Sequence, residues 1–172
     1  MPRLFRAPLR LALVGALASL LASPACYTLN GISITPETET FFVEQFDVVT
    51  IEGPQEMGQR FTELLKERIN RDTRLIFSET DPDVEFAGAV ADFSVTPEAP
   101  NAENRSDLNR LTVRISVDYV DRVTEKNSYR QAFTDYELFD ASQDLLSVQD
   151  DLVETLFARM SEDVFNKAFS NW

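Results

Sequence analysis

Arg110-Leu111-Thr112-Val113-Arg114-Ile115-Ser116-Val117-Asp118-Tyr119 is the stretch whose reading decides the fold. Leu111, Val113, Ile115, Val117 and Tyr119 fall on one side of a pleated strand, and Arg110, Thr112, Arg114, Ser116 and Asp118 on the other. Such alternation requires a sheet with one buried and one wet face. The cover for the buried face lies downstream. Leu145, Val148, Leu152, Val153, Leu156, Phe157, Met160, Val164, Phe165, Ala168 and Phe169 recur at three- and four-residue intervals, which predicts an amphipathic helix over roughly 144–169. Asp140, Ser142 and Ser147 are its candidate N-caps, and Asp144, Asp150 and Asp151 place negative charge near the positive end of its dipole. Upstream, Met57, Phe61, Leu64, Leu65 and Ile69 form a second helical stripe over about 55–71, with Pro54 near the first turn.

The remaining segments read as strands and turns. Phe41 to Ile51 is rich in Phe, Val and Thr and predicts one strand, broken by Gly53-Pro54. Thr73 to Phe77 is briefly extended. Asp81-Pro82-Asp83 turns the chain into a strand from Val84 to Thr96, where Gly88 interrupts the alternation as a bulge would. A fourth strand, Ser128 to Phe139, carries Tyr129, Phe133, Tyr136 and Phe139 at mixed parity, so a bulge or register change is expected there too; Thr124 to Asn127 is short enough for a hairpin. The fold class expected is α+β, with two helices packed on one face of a four-stranded, mostly antiparallel sheet. This forms a single domain over 41–172, with the outward sheet face free.

The N-terminus reads as an export tag. Arg3, Arg6 and Arg10 precede the apolar run Leu11 to Leu21, and the small residues Ser23 and Ala25 stand before Cys26, the only cysteine. At 11 residues the run is well short of the roughly 20 that span a bilayer. Residues 1–25 are therefore a removable signal peptide, with Cys26 as the lipid-attachment residue and 26–40 as the tether. A bacterial lipoprotein cysteine carries acyl chains, each buried methylene contributing roughly 0.8 kcal/mol, so three chains would hold the domain at the membrane essentially permanently. Ser23 stands where leucine is commonest in such sites and Pro24 follows it, so the same residues also spell an ordinary Ser-x-Ala secretory cut.

Removing the tag takes three arginines and no acid, which leaves 13 basic residues against 29 acidic ones and shifts the net charge from −13 to −16. That balance disfavours nucleic acid as a partner and any broad attraction to anionic membranes. The absence of histidine removes the usual general base and the commonest metal ligand. An acylated Cys26 would leave no thiol nucleophile, and the chain has no Gly-x-Ser-x-Gly elbow or Gly-rich phosphate loop. No enzyme activity and no cofactor are expected; carboxylate pairs are abundant, as 29 acids make inevitable. Asp81-x-Asp83-x-Glu85 begins like a calcium loop, but Phe86 and Asp92 replace the glycine and glutamate that such a loop needs, so a polar turn is the simpler reading. Asn104-Arg105-Ser106 spells a glycosylation sequon and is most simply loop. Arg110 and Arg114, about 14 Å apart by strand rise, are candidate contacts for phosphates or carboxylates of a partner, set against ordinary pairing with neighbouring acids.

Three segments resemble a known family: Cys26-Tyr27-Thr28-Leu29-Asn30-Gly31-Ile32-Ser33-Ile34, Leu108-Asn109-Arg110-Leu111-Thr112-Val113, and Phe165-Asn166-Lys167-Ala168-Phe169-Ser170-Asn171-Trp172. They look like the Bacteroidetes-type LptE lipoproteins, and the likeness spans nearly the whole mature chain. The resemblance implies an outer-membrane lipoprotein of lipopolysaccharide transport, anchored in the periplasmic leaflet, that plugs and helps assemble the LptD-type β-barrel translocon. Direct binding of lipopolysaccharide through Arg110 and Arg114 is a separate expectation. Tyr27 after the anchor, in place of aspartate, fits the sorting pattern of outer-membrane lipoproteins in many bacteria. Two other classes share the anchor and size: a lipoprotein that binds a small or lipid ligand in an apolar pocket, for which 13 Phe leave room, and an accessory subunit of another envelope complex.

Overall fold

Leu111, Val113, Ile115, Val117 and Tyr119 are all buried, at 3% exposure or less, in the computed structural model, which describes residues 33–98 and 108–170. The signal peptide, Cys26, the sequon at 104–106 and the closing Asn171-Trp172 lie outside the described residues. In chain order the elements are β1 (Thr40–Val43), β2 (Asp47–Val48), α1 (Met57–Asp72), β3 (Ile76–Phe77), β4 (Val84–Pro97), β5 (Leu108–Asp121), a 3-10 turn (Glu125–Asn127), β6 (Tyr129–Asp140) and α2 (Leu145–Phe169). The class is α+β with two helices, as expected. The sheet is not the four-stranded, mostly antiparallel one. It is a mixed sheet of six strands in the order β3-β1-β4-β5-β6, with β2 also beside β4. β4-β5-β6 is an antiparallel meander, whereas β1 pairs in parallel with β3 and β4, and β2 in parallel with β4. Parallel neighbours need a long crossover, and α1 supplies it.

The run 41–51 does not form one strand. Phe41 pairs with Val84 and Val43 with Phe86, but Asp47 pairs with Ala89, so one extra residue sits between the two short strands. Phe46 turns into the core at that irregularity. Its N–H donates to Thr62 Oγ1 at 2.9 Å, and Thr62 donates onward to Gly58 O at 2.8 Å. Its ring meets Phe61 edge-on at 5.0 Å, and Phe61 meets Phe157 of α2 at 5.3 Å. Gly58 and Gly88 are the two residues that permit this. A Cβ on Gly58 would lie 2.0 Å from Phe46 O, and one on Gly88 would lie 2.1 Å from Ser116 O and 2.7 Å from Phe46 Cε1.

Gly88 is thus a close-approach residue rather than a bulge. It stays in register with Val117, and the register of β4 shifts instead between Val90 and Asp92. β6 has no bulge either; its pairing with β5 runs unbroken from Leu108↔Asp140 to Tyr119↔Tyr129. The mixed parity there reflects two faces: Tyr129, Phe133 and Phe139 look toward the helices, while Tyr136 stands on the outer face, 47% exposed. α2 begins after Asp144, which makes no side-chain cap; Ser147 Oγ donates to Asp144 O at 2.6 Å. Asp140 serves the preceding turn, accepting from Ser142 N–H at 2.8 Å and its hydroxyl at 2.6 Å. The helix therefore starts without any of the three expected caps.

Asp83 shows what the calcium-like spelling does. One of its oxygens, Oδ2, accepts from Glu39 N–H, Thr40 N–H and Thr40 Oγ1, each at 2.9 Å, which ties the entry of β1 to the start of β4. These backbone hydrogen bonds hold its carboxyl below the usual aspartate range. A folded-state pKa lowered in this way stabilises the fold at pH above the ordinary aspartate value, roughly 3.9, and the contribution is lost as acid protonates the carboxylate below it. Denaturant titrations of Asp83→Asn should therefore show lower stability at neutral pH and a smaller loss between neutral pH and about pH 3 than the native chain. Gly88→Ala should cost about 2–3 kcal/mol in the same measurement, since the obstruction is backbone and an aromatic ring.

Candidate functional site

With both helices on one face, the other face of the sheet is left uncovered, and the sequence alternation determines what it carries. Pairing puts Ala89, Ser116 and Ala132 abreast across β4, β5 and β6, with Asp92, Arg114 and Thr134 in the next outward-facing row. Beyond them come Ser94, Thr112 and Tyr136, then Thr96, Arg110 and Leu138. Small side chains make the middle flat, and charges and one aromatic rise toward the end where β4 leaves the sheet.

Arg110 is fully engaged there. Its Nε donates to Glu98 Oε2 at 2.7 Å and its Nη2 to Oε1 at 2.9 Å, a bidentate pair, while its guanidinium stacks 4.0 Å from the centre of the Tyr136 ring. The hydrogen bonds from Arg110 hold Glu98 below the usual carboxylate range, and the same bonds raise Arg110 further. Arg114, four residues along the same face, is exposed and has no ion pair with any described residue. Its cross-strand neighbour Asp92 accepts from Ser94 Oγ at 3.2 Å. The structure therefore places the two arginines on one face but gives them different states: one clamped, one free. Glu98 carries no local signal in the sequence, and Tyr136 reads there only as a strand aromatic; the cross-strand row Thr112–Tyr136 is set by a register that no local pattern reveals.

Other cations are absorbed into the scaffold. Arg130 pairs with Asp118 across β5 and β6, and Arg122 with Glu85. Arg159 on α2 binds Asp135 and Glu137, each at 2.7 Å, and donates to the Tyr136 carbonyl at 3.0 Å, which closes part of the β6 edge. Arg74 donates to Thr35 O and Pro36 O, fastening the segment that leads into β1. Among the described residues only Arg114, Lys126 and Lys167 are cations with neither a carboxylate nor a backbone carbonyl to hold them. Of the phenylalanines that left room for an apolar ligand pocket, Phe41, Phe46, Phe61, Phe86 and Phe157 are instead fully buried in the core. No group of three or more potential metal ligands occurs among the described residues.

A family model for lipopolysaccharide assembly, LptE, matches residues 38–168. The chain belongs to the LptE family. The match begins at Thr38 and ends at Ala168, so it takes in every strand of the sheet, all of α1 and all but the last residue of α2. LptE is a non-enzymatic lipopolysaccharide-assembly family, and the chain accordingly takes part in lipopolysaccharide assembly. No curated protein matches the chain. Two solved structures share its fold. A hypothetical protein from Chlamydia trachomatis aligns with a TM-score of 0.53 at 11% identity, over 76% of this chain and 98% of that one. A protein from Xanthomonas campestris aligns with a TM-score of 0.51 at 11% identity, over 79% and 91%. A minor lipoprotein from Acinetobacter baumannii is similar more loosely, with a TM-score of 0.47 at 10% identity over 77% and 97%.

The difference between the two arginines is measurable. Under limiting phenylglyoxal, peptide mapping should show Arg114 modified well before Arg110, and Glu98→Gln should bring the Arg110 rate toward that of Arg114. Equal rates in the native chain would contradict the clamp.

Proposed function

We propose that this protein is an outer-membrane lipoprotein, acylated at Cys26 after removal of residues 1–25 and facing the periplasm, that plugs and helps assemble an LptD-type β-barrel. In this role it supports insertion of lipopolysaccharide into the outer membrane. The observation that carries the reading is the LptE match over residues 38–168. The uncovered sheet face supports the plug role in physical terms. Barrel lumens are wet and polar, and a rigid face of small side chains, hydroxyls and charges offers hydrogen bonds to such a wall without exposing the core. Acylation would confine the domain to the leaflet around the barrel and raise its effective concentration there, so modest contacts suffice. No catalytic step belongs to this role. No helix among the described residues is long and apolar enough to cross a membrane.

A weaker, separate part of the proposal is direct contact with lipopolysaccharide through Arg110 and Arg114. Charge-assisted bonds from guanidinium to phosphate suit that ligand. Because Glu98 already occupies Arg110, Arg114 is expected to carry most of the effect.

Affinity purification from outer membranes tests the plug role: a large translocon barrel should co-purify, whereas recovery of a secretion or barrel-assembly complex in its place would overturn it. Labelled palmitate with and without globomycin tests the anchor, and unlabelled protein released into the periplasm would reject it. For the lipid contact, Arg114→Ala should weaken binding to isolated lipopolysaccharide several-fold and Arg110→Ala by less. Unchanged affinity in the double variant would leave the plug role alone.

A further inference from the structure

The domain's two unheld lysines meet at one place. The chain has only three lysines, Lys66, Lys126 and Lys167, and Lys66 pairs with Glu63. Lys126, in the turn between β5 and β6, and Lys167, in the last turn of α2, line the same cavity of about 370 Å³. None of the described residues that line it is acidic, although the sequence holds 29 Asp and Glu. The hydroxyls of Ser33, Thr35 and Ser170 complete the polar wall. Tyr129 forms the floor, with the Lys167 ammonium 5.7 Å from its ring centre.

The Asp121 carboxylate and three backbone carbonyls close to the cavity already have donors. Asp121 is turned into the hairpin, where one oxygen accepts from Val123 N–H at 3.0 Å and Thr124 N–H at 2.6 Å, and the other from Asn127 Nδ2 at 3.2 Å. At the end of α2, Phe169 O accepts from Ser33 N–H at 2.6 Å, Asn166 O from Ser170 N–H at 2.8 Å, and Val164 O from the Tyr129 hydroxyl at 3.4 Å. A lysine in the last turn is ordinary, because it offsets the helix dipole. That explains Lys167 but not Lys126, which comes from a different element and faces the same space. Two ammonium groups, neutral hydroxyl donors and no carboxylate among the described lining residues make a site for a tetrahedral oxyanion.

Position selects the source of that anion. Ser33, in the cavity wall, stands seven residues after Cys26, so a fully extended chain puts it within about 25 Å of an anchored cysteine. We propose that this cavity binds the headgroup phosphate of a glycerophospholipid in the leaflet that holds the anchor. Occupancy would orient a strongly acidic domain with its tethered end toward the bilayer. The location, though not the chemistry, rests on the anchor proposed above.

The test uses the full acylated protein in neutral detergent, titrated with short-chain dihexanoyl phosphatidylglycerol and separately with inorganic phosphate, with backbone amide shifts as readout. Saturable shifts confined to residues 126–129 and 167–170 are expected with the lipid, and Lys126→Ala/Lys167→Ala should lose about tenfold or more in affinity. Lys126→Gln should weaken binding alone, with amides of β5 unmoved to report an intact fold. No saturable response to the lipid, a response of the double variant equal to that of the native protein, or inorganic phosphate binding as tightly as the lipid would each overturn the proposal. Because the probe is a soluble lipid, its binding does not require acylation of Cys26, which palmitate labelling reads independently.

Discussion

Phe46 is held between two glycines, and the rest of the fold depends on that contact. Its carbonyl lies where a Cβ on Gly58 would be, its ring lies where a Cβ on Gly88 would be, and its N–H is taken by buried Thr62. Through Phe61 and Phe157 the same ring connects the sheet to α1 and then to α2. A side chain on Gly58 would push α1 away from the Phe46 backbone, and one on Gly88 would displace the Phe46 ring. The uncovered outer face follows, because both helices are drawn to one side.

Leaving that face bare requires it to be stable in water without attracting further strands. The meander achieves this with paired charges and small residues. Arg110–Glu98 and Arg130–Asp118 hold long side chains flat, and Ala87, Ala89 and Ala132 keep the middle low. Exposed pairs of this kind contribute little to stability, so their value is in shape and specificity. Burial pushes the Tyr119 and Tyr129 phenols up, so both remain neutral on the covered side.

What could be read from sequence was what period and parity encode locally. β5 and α2 were legible because each repeats one strict pattern over ten or more residues, and α1 because its stripe ends near Gly53-Pro54 and Thr73. The parallel strands were not, since β2 and β3 are two residues each and exist only because distant partners accept them. Glycine in a strand admits several physical readings, and the close approach of Phe46, 42 positions away, decided between them at Gly88. At the site, both arginines were found from the alternation, but their inequality comes from Glu98 and Tyr136. The pairing of Lys126 with Lys167 depends on how α2 returns to the β5–β6 turn, which no window of sequence contains.

The position of β1 has a temporal consequence. Its hydrogen-bonding neighbours are Ile76–Phe77 on one side and Val84–Phe86 on the other, and β2 waits on Ala89 and Val90. A chain that emerges N-terminus first therefore presents its earliest strand with nothing to join until some forty more residues have followed. During that interval Phe41, Val43 and Phe46 have no shelter, so the segment made first is the one most in need of an escort before the sheet closes around it.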